Sequence, residues 1–417
     1  MRKTIIALLT LAVAVSAISC IYDFDINVPA GERDVIVFEG NIRAGAMTEI
    51  KVSRCVALDD STTIWDAGSA VYNALTKIWI ECEDGTVIEG QRGSGIYLFD
   101  TRDLDKSKKY RVAGIRYTYP NNMTPEMYLQ SLGSPALFPD LPTKHEYYSE
   151  WVDVLKVAPI DSLSFEIKNK DKISFRVSVG EGGGSDYFLW TGRETWEYTA
   201  QYYASCYYYH YTNSIKQFEN GQNVYYCWSE CELPFMVTAS SVETDGKLVN
   251  QELYTYGNRE SKLRYIYSVE IIQENVTEES YRYYSTMNRN STDVGGLFSP
   301  QPSDLRGNIV NALDSTEQVI GFITASEVTS TRLFYNNNYE RFCKVGFGET
   351  PEVQVFSKKD WPNAYRKGLY PYMIHIEEDG FSAPDENVYD WLPARCLDCT
   401  LSGGHKNKPD YWPNDHI

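Results

Sequence analysis

The chain has 417 residues, of which 39 are Lys or Arg and 57 are Asp or Glu, so its formal net charge at pH 7 is −18. This excess of acid argues against nucleic acid as a partner, because binding phosphates needs clustered basic side chains, and it favours neutral or cationic partners. The length is enough for two or three domains that each bury a core.

The N-terminal residues 1–20, "MRKTIIALLTLAVAVSAISC", place two basic residues before an apolar run that ends close to Cys20. The run is too short to span a membrane, so it predicts a secretory signal peptide over residues 1–19. Cleavage before a cysteine is typical of bacterial lipoproteins, and we therefore predict that Cys20 is lipidated and begins a tether over residues 20–33. The alternative is an ordinary signal peptide with an incidental cysteine.

Short β-rich runs follow at 34–42, 49–58 and 76–85, separated by Gly, Asp and Asn. Short strands at this spacing predict an Ig-like β-sandwich over residues 34–118. The stretch 119–157 contains five prolines, which cannot donate to a sheet ladder, so we predict a Pro-rich crossover there.

A second antiparallel β domain with one short helix is predicted over residues 158–335. The segment "ISFRVSV" (173–179) alternates between apolar and polar residues, as a half-buried strand does. The helix is predicted over 275–290, with Thr277 as its N-cap. Three side chains at helical spacing are expected to face the sheet: Tyr281, Tyr284 and Met287.

Residues 336–417 show no regular pattern and are predicted to be an irregular segment that packs on the second domain and is stapled by disulfides. In an exported protein the cysteines after Cys20 are disulfide candidates. For Cys396 and Cys399 we favour disulfides over half a zinc site with His405, because a structural zinc site needs four ligands. Their partner is left open between Cys227 and Cys343. In the sandwich we predict that Cys55 pairs with Cys82. The full set of disulfide candidates is Cys55, Cys82, Cys206, Cys227, Cys231, Cys343, Cys396 and Cys399.

The stretch "AQYYASCYYYHYTN" (200–213) contains six tyrosines. We predict that residues 202–211 form the tip of a projecting hairpin that turns at Asn220–Gly221 and returns along a strand containing Trp228. Tyrosine suits a binding surface because it joins a large rigid ring to a polar tip. The predicted contacts for a ligand or partner are Tyr207, Tyr209, Tyr211 and Trp228, with Cys206 pairing to Cys227 or Cys231. The alternative is cross-strand packing of a core.

No catalytic residue, metal site or other cofactor is predicted. The sequence lacks the nucleophile elbow of hydrolases and the paired histidines of zinc proteases. Glu194 and Glu197 could in principle cleave a glycoside, but residues three apart on a strand point to opposite faces, which favours structural roles.

The ordered motifs resemble a large family of Bacteroidetes surface lipoproteins that is catalogued only as a domain of unknown function, the four-two-four-nine family. The stretch 202–211 is not part of the family pattern, and the acidic Asp23 and Asp25 resemble a surface-export signal. The matching pieces are "VFEGNI" (37–42), "PIDSLSF" (159–165), "RETWEY" (193–198), "YYCW" (225–228), "EESYRYY" (278–284), "LFSPQPSDLRGNI" (297–309), "VIGFITASEV" (319–328), "CLDCT" (396–400) and "KPDYW" (408–412).

The resemblance implies an accessory role beside a SusC/SusD-like, TonB-dependent nutrient importer. We therefore expect a non-catalytic lipoprotein, anchored in the outer membrane and facing the cell exterior, that binds a peptide or glycan substrate or the importer complex. Two alternatives stay open: a hydrolase, either glycosidase or peptidase, with an unrecognised site, and a structural cell-envelope or adhesion module.

Overall fold

The computed structural model describes residues 35–54, 75–93, 96–120, 123–132, 140–219, 222–244, 246–292, 307–376 and 388–414. Several predictions fall outside these residues. They concern the signal peptide, the tether with Cys20, Cys55, and the turn at Asn220–Gly221.

The elements are numbered in chain order. The first strands are β1 Ile36–Glu39, β2 Ile42–Ala44, β3 Met47–Arg54, β4 Lys77–Cys82, β5 Val87–Glu89, β6 Gln91–Arg92, β7 Ile96–Asp100, β8 Lys109–Thr118, β9 Thr143–Ser149, β10 Val152–Leu155, β11 Ile160–Lys168, β12 Lys172–Val179 and β13 Tyr187–Thr199. The later strands are β14 Cys206–Tyr209, β15 Ser214–Gln217, β16 Tyr226–Glu232, β17 Val237–Ser240, β18 Leu248–Gly257, β19 Ile266–Asn275, β20 Ile309–Asn311, β21 Val319–Ile320, β22 Ala325–Asn336, β23 Gln354–Ser357, β24 Leu369–Ile374 and β25 Val388–Pro393. The helices are α1 Pro125–Leu132, α2 Glu278–Thr292, α3 Asn337–Glu340 and α4 Trp361–Arg366, with 3₁₀ turns at Ser261–Leu263, Ala394–Cys396 and Cys399–Ser402.

The N-terminal part is a β-sandwich, as predicted. One sheet has the order β21-β1-β3-β7-β6, and the other contains β5, β4, β8 and β10. Alternate residues of both sheets point inward and fill a largely aliphatic core. Its fully buried members include Ile36, Ile42, Ile50, Val52, Ile80 and Phe99.

The second β unit packs the three-stranded sheet β11-β12-β18 on the strands β13, β19 and β22. The alternation predicted for 173–179 is confirmed, because four side chains of β12 are buried in this core: Ile173, Phe175, Val177 and Val179. A continuous path of paired strands, β16-β13-β19-β22-β10-β8-β4-β5, joins this unit to the sandwich. We call the sandwich and the second unit together the β-body.

The β-body does not divide at the predicted boundaries of 118, 158 and 335. The short strand β21 pairs in parallel with β1, and β22 pairs in parallel with β2 and β10. Ile309, Ile323 and Ala325 are buried in the sandwich core. Strand pairing between distant segments leaves no local sequence signal, so the late strands that complete the sandwich were assigned to the second unit.

The helix prediction is confirmed at α2. Thr277 accepts a hydrogen bond from the backbone N–H of Ser280 at 3.2 Å, as an N-cap does. Tyr284 is buried against the sheet, with Tyr281 and Met287 packed beside it. The predicted crossover is more regular than expected, because it contains α1, β9 and β10. Among the described residues, no helix is both long and apolar enough to cross a membrane.

The C-terminal segment is also more regular than predicted. It contains the antiparallel sheet β23-β25-β24 and the short helix α4. The hairpin β14–β15 packs on β24 and α4, so tyrosines from the middle of the chain share a core with the C-terminal sheet. We call this assembly, residues 202–218 with 354–376 and 388–399, the aromatic unit. Its buried side chains include Tyr208, Trp361, Leu369, Trp391, Leu392 and Leu397.

Candidate functional site

The tyrosine stretch forms a hairpin, but a shorter and less exposed one than predicted. Strand β14 pairs with β15 in register from Cys206 with Gln217 to Tyr209 with Ser214. The turn therefore spans residues 210–213, where Asn213 adopts φ +46°, a left-handed conformation that Asn tolerates better than most residues. The hairpin does not project as a free tip, because the C-terminal sheet covers one of its faces.

Alternation along β14 divides its side chains between core and surface. Cys206 and Tyr208 are buried, whereas Tyr207 and Tyr209 are half-buried. The ring of Tyr208 lies 5.2 Å from that of Tyr365 and 5.8 Å from that of Trp391, and its hydroxyl donates to Asn213 Oδ1 at 3.0 Å. The alternative, packing of the tyrosines in a core, is therefore right for the inward face of β14. The outward face remains available for binding.

The tip of the hairpin carries an aromatic cluster. Tyr211 is 77% exposed, and its ring lies 3.9 Å from that of His210 and 5.4 Å from that of Tyr209. The His210 ring in turn is stacked on Tyr365, with 5.8 Å between centroids. Neighbouring rings restrict one another, which lowers the ordering cost when such a surface binds.

Trp228 is not part of this surface, so the prediction that it contacts a ligand is wrong. It is only 5% exposed and packs with Ile266 and Trp412. Its register partner on the neighbouring strand is Glu197, and its backbone forms two hydrogen bonds of 2.9 Å with His405. The C-terminal end of the chain thus covers the position that the sequence pattern placed opposite the tyrosines.

A pocket of about 250 Å³ lies between the hairpin and the C-terminal sheet. Its walls are mainly aromatic: the rings of Tyr207 and Phe218 lie 5.0 Å apart on one side, and those of Tyr365 and Tyr370 are stacked at 5.5 Å. The lining residues are Ala204, Cys206, Tyr207, Tyr208, Phe218, Val224, Tyr365, Tyr370, Pro371, Leu397 and Asp398. The pocket is smaller than the roughly 300–1,000 Å³ of sites for drug-sized ligands, so it can bury one ring or one side chain of a larger ligand.

Backbone hydrogen bonds hold the two sides of the pocket together. Ser205 donates from its N–H and from its hydroxyl to the carbonyl of Tyr372, at 2.8 and 2.9 Å. Tyr202 donates from its N–H to the carbonyl of Cys396 at 2.9 Å. The walls are therefore fixed by the fold before any ligand binds.

A disulfide joins the aromatic unit to strand β16. Cys227 on β16 is bonded to Cys399, which confirms the predicted disulfide-stapled C-terminal segment and chooses Cys227 over Cys343 as the partner. The bond also removes Cys399 from any zinc site. Asp398, which precedes Cys399, and Val224, whose carbonyl accepts from the Cys399 N–H at 3.0 Å, both help to line the pocket.

The other predicted disulfides are not formed by the described residues. Cys82, Cys206, Cys231, Cys343 and Cys396 are free thiols, and Cys55, the predicted partner of Cys82, lies outside the described residues. The pairing of Cys206 with Cys227 is wrong because Cys227 is already bonded to Cys399. Burial raises the pKa of Cys206 to about 12, so its thiol stays protonated in the pocket wall.

The two glutamates considered for glycoside cleavage have separate structural surroundings. Glu194 accepts from Lys262 Nζ at 2.6 Å and from Tyr267 at 2.9 Å, in the core of the second unit. Trp412 Nε1 donates to Glu197 Oε2 at 3.4 Å on the other face of β13. Neither carboxylate shares a site with the other, as their spacing on the strand predicted.

A relay of polar side chains lies where β8 and β9 pair, and sequence reasoning missed it. His145 Nε2 lies 2.7 Å from Thr118 Oγ1, and His145 Nδ1 lies 2.7 Å from Glu317 Oε2. Tyr147 and Asn311 each donate to Glu317 at 2.6 Å, and burial together with this bond raises the pKa of Tyr147. A hydroxyl, an imidazole and a carboxylate in this order can support acyl transfer.

The pocket residues after the hairpin were also missed. Tyr365, Tyr370 and Asp398 come from a segment that was predicted to be irregular, about 160 to 190 residues from the tyrosine strand. A compositional signal was present, since four of the thirteen residues of "WPNAYRKGLYPYM" (361–373) are aromatic. Two tyrosine-rich segments in one chain are candidates to pack together, as these do.

The sheets and the pocket define the class of this protein: mainly β, with several sheets, an N-terminal β-sandwich and a disulfide-closed aromatic unit. A family model described as "Domain of unknown function (DUF4249)" matches residues 21–332, and the chain belongs to this family. The hairpin lies inside the matched region. The C-terminal residues that complete the pocket lie beyond it.

Comparison with solved structures gives distant matches. The two fibronectin type III domain segment from chicken tenascin is 11% identical, with 71% of this chain and 96% of that chain covered and a TM-score of 0.14. Trypsin-activated α2-macroglobulin from Escherichia coli is 10% identical, with 61% of this chain and 15% of that chain covered and a TM-score of 0.12. Scores this low carry no argument, and the comparison with curated proteins found no match.

Proposed function

We propose that this protein is a non-catalytic surface lipoprotein that binds through its aromatic unit and assists a SusC/SusD-like, TonB-dependent nutrient importer. In this proposal Cys20 carries the lipid that anchors the protein in the outer membrane, with the folded part facing the cell exterior. The partner is the importer complex, a peptide or glycan substrate, or both.

One observation carries the binding role. The hairpin and the C-terminal sheet together form an aromatic pocket of about 250 Å³, beside a cluster of partly exposed rings that includes Tyr211. Aromatic rings that are held rigidly and carry polar tips supply contact area at low entropic cost, for sugars and for peptide side chains alike. The acidic net charge agrees with a neutral or cationic partner.

The binding role can be tested with a triple variant, Tyr207→Ala with Tyr209→Ala and Tyr211→Ala. The tagged full-length lipoprotein is purified from mild detergent, and the co-purified importer subunits are quantified. We expect the wild type to recover importer subunits and the triple variant to lose them, because the best aromatic anchors of an interface each contribute about 2 kcal/mol or more. The melting temperature of the variant is measured in parallel to separate lost binding from lost folding.

A matched control is Tyr339→Ala, since Tyr339 is 79% exposed but lies on α3, outside the aromatic unit. This variant should recover importer subunits like the wild type. Recovery of the importer by the folded triple variant would rule out the aromatic unit as the binding surface. Failure of the wild type to recover any importer subunit would count against the accessory role.

The anchor has its own test. Because acylation of Cys20 would supply the membrane attachment, the Cys20→Ala variant should leave the outer-membrane fraction and appear in soluble fractions. A Cys20→Ala protein that fractionates with the membrane like the wild type would contradict lipidation at this residue.

A hydrolase is the second candidate, and the relay of Thr118, His145 and Glu317 is the observation that favours it. His145 Nε2 would take the Thr118 proton while Oγ1 attacks the carbonyl carbon of a peptide bond. The C–N bond then breaks, the leaving amine takes the proton from His145, and water hydrolyses the Thr118 ester to a free carboxylic acid. A fluorophosphonate probe should then label Thr118 in the wild type but not in His145→Ala, and the exposed Ser107 should stay unlabelled. No label at Thr118 would remove this candidate.

A further inference from the structure

The charge of the pocket is set by a single ionisable side chain. Of the residues that line it, only Asp398 carries a charge at neutral pH, and none is Lys or Arg. The thiol of Cys206 stays neutral, because burial raises its pKa to about 12. A carboxylate in an aromatic pocket with no basic residue in its walls makes the interior attractive to a cation.

Asp398 has one carboxylate oxygen occupied and one available. Its Oδ1 accepts from the Thr400 N–H at 2.9 Å and from the Thr400 hydroxyl at 2.5 Å, as the N-cap of the 3₁₀ turn Cys399–Ser402. No described residue donates a hydrogen bond to Oδ2 or forms an ion pair with this carboxylate. The cap fixes the orientation of the group and leaves Oδ2 for an external donor.

The aromatic walls of the pocket also favour a bound cation. The rings of Tyr207, Tyr208, Tyr365 and Tyr370 line the pocket. The face of an aromatic ring has negative electrostatic potential and attracts ammonium and guanidinium groups within about 6 Å. The stacked pair of Tyr365 and Tyr370 forms a flat wall against which an alkyl stem can pack.

The chain contains an internal example of this chemistry in the β-body. Lys262 Nζ lies 4.4 Å from the ring centre of Tyr256 and 5.8 Å from that of Trp196, and it donates to Glu194 Oε1 at 2.6 Å. Rings and one carboxylate thus surround a lysine ammonium. The pocket of the aromatic unit presents the same kinds of group, and its walls contribute no cation.

We infer that the pocket binds a cationic group, the ammonium or guanidinium of a Lys or Arg side chain in a peptide, with the cation between the tyrosine rings and Asp398. This inference rests on the proposed binding role of the aromatic unit and narrows its ligand to basic peptides. A neutral glycan is the competing ligand, because aromatic rings alone would bind it without needing Asp398.

The test uses the full chain and three probes: acetyl-Ala-Lys-Ala-amide, the matched peptide with norleucine in place of lysine, and a neutral oligosaccharide, cellotetraose. Binding is followed by the chemical shifts of labelled tyrosine rings up to millimolar concentrations. We expect the lysine peptide to bind about tenfold more tightly than the norleucine peptide. In Asp398→Asn, which keeps an oxygen to cap the turn, that difference should disappear.

Equal binding of the two peptides to the wild type, or an unchanged lysine preference in Asp398→Asn, would overturn the inference. Binding of cellotetraose alone, with shifts at the pocket tyrosines, would also overturn it but would support the binding role of the aromatic unit. If no probe shifts a pocket tyrosine and the importer is also not recovered through the aromatic unit, both proposals fail together. Tyr339→Ala serves as the control variant that should bind all probes like the wild type.

Discussion

The β-body and the aromatic unit differ in strand length and in the side chains that fill their cores. In the β-body, β19 pairs over nine residues with both β13 and β22. The sandwich core is mainly Ile and Val, and the core of the second unit mixes aliphatic side chains with rings such as Phe175, Trp190 and Tyr267. The strands of the aromatic unit have four to six residues, and its core is built on Tyr208, Trp361 and Trp391.

This difference assigns separate tasks to the two regions. Long ladders give a rigid support, whereas short strands joined by aromatic rings can present the same residue type to the core and to the solvent. Tyrosine does both along β14, where Tyr208 is buried and Tyr207 and Tyr209 are half-buried. The family match ends at residue 332, and the pocket residues Tyr365, Tyr370 and Asp398 lie beyond it.

The largest expected effect comes from Trp391→Ala, which would show whether the two regions unfold separately. Trp391 is fully buried in the aromatic unit, and truncating such a ring typically costs about 3–5 kcal/mol. We expect a loss of structure confined to the aromatic unit, seen as rapid proteolysis within residues 202–218, 354–376 and 388–399, with the unfolding transition of the β-body preserved.

The matched change in the β-body is Ile50→Ala, in the core of the sandwich, which should lower the stability of the whole protein. If Trp391→Ala instead lowers a single cooperative transition of the entire chain, the two regions are one unit and the comparison fails.

Sequence reasoning succeeded where the pattern was local. The alternation of residues 173–179 and the helix with its Thr277 cap depend on neighbours within a few positions, and both were predicted. It failed where a segment from far along the chain decided the outcome. The hairpin was predicted to turn at Asn220–Gly221, whereas β14 and β15 pair around residues 210–213 and are covered by the sheet β23-β25-β24.

For the candidate site, too, the sequence predicted the features that depend on a local pattern and missed those that depend on distant segments. Tyr207, Tyr209 and Tyr211 were named because tyrosine density is visible in the sequence, and their common face follows from alternation. Trp228 was named for its place on a returning strand, but it pairs with the β-body instead. No periodicity could show that Tyr365 and Asp398 would complete the pocket, since that depends on how the C-terminal sheet docks.

The second-largest effect is expected from removing the disulfide Cys227–Cys399, which joins the aromatic unit to β16 of the β-body. Removing a native disulfide typically costs about 2–5 kcal/mol. The double change Cys227→Ala with Cys399→Ala should lower the melting temperature of the aromatic unit and leave that of the β-body nearly unchanged. Reducing the wild type with dithiothreitol should reproduce the shift, and no shift under either treatment would contradict the tie.

The third expected effect concerns the β-body alone and comes from removing the charge partner of a buried glutamate. Glu194 is 1% exposed and depends on Lys262 for its charge partner, so Lys262→Ala leaves a buried carboxylate without a cation. We expect a loss of about 3 kcal/mol in the free energy of unfolding, at the lower end of the range for such pairs because Lys262 remains partly exposed. Urea unfolding measures it.

The control for this change is the double variant Lys262→Ala with Glu194→Gln, which removes both charges. It should recover part of the lost stability. A Lys262→Ala protein as stable as the wild type would show that water reaches Glu194 and that the pair contributes little.

The smallest expected effect is a loss of stability at high pH, caused by the ionisation of a thiol. The pKa of Cys206 in the aromatic unit is raised to about 12, mainly by burial, while an unfolded thiol titrates near ~8.5. The stability that this protonated thiol contributes is fully present below pH ~8.5 and is lost as the pH rises towards 12. The aromatic unit should therefore lose about 2 kcal/mol by pH 10.

In the β-body the corresponding thiol is Cys231, whose pKa is raised to about 11, mainly by burial, from the same unfolded value near ~8.5. Its contribution is lost between pH ~8.5 and 11, so the β-body has its own loss in the window in which the aromatic unit weakens. Thermal unfolding at pH 8 and pH 10 measures both. Cys206→Ala should remove the shift of the aromatic unit and leave that of the β-body, whereas Cys231→Ala should reduce the shift of the β-body alone. An aromatic unit that still weakens at pH 10 in Cys206→Ala would contradict this assignment.

The most direct test of the division between support and binding surface is photo-crosslinking in living cells from two matched positions. Tyr211 in the aromatic unit is 77% exposed and Val249 in the β-body is 75% exposed, so each accepts a benzoylphenylalanine side chain without disturbing a core. We expect crosslinks to an importer subunit or a substrate peptide from position 211 and none from position 249. Crosslinks from position 249 alone would contradict it.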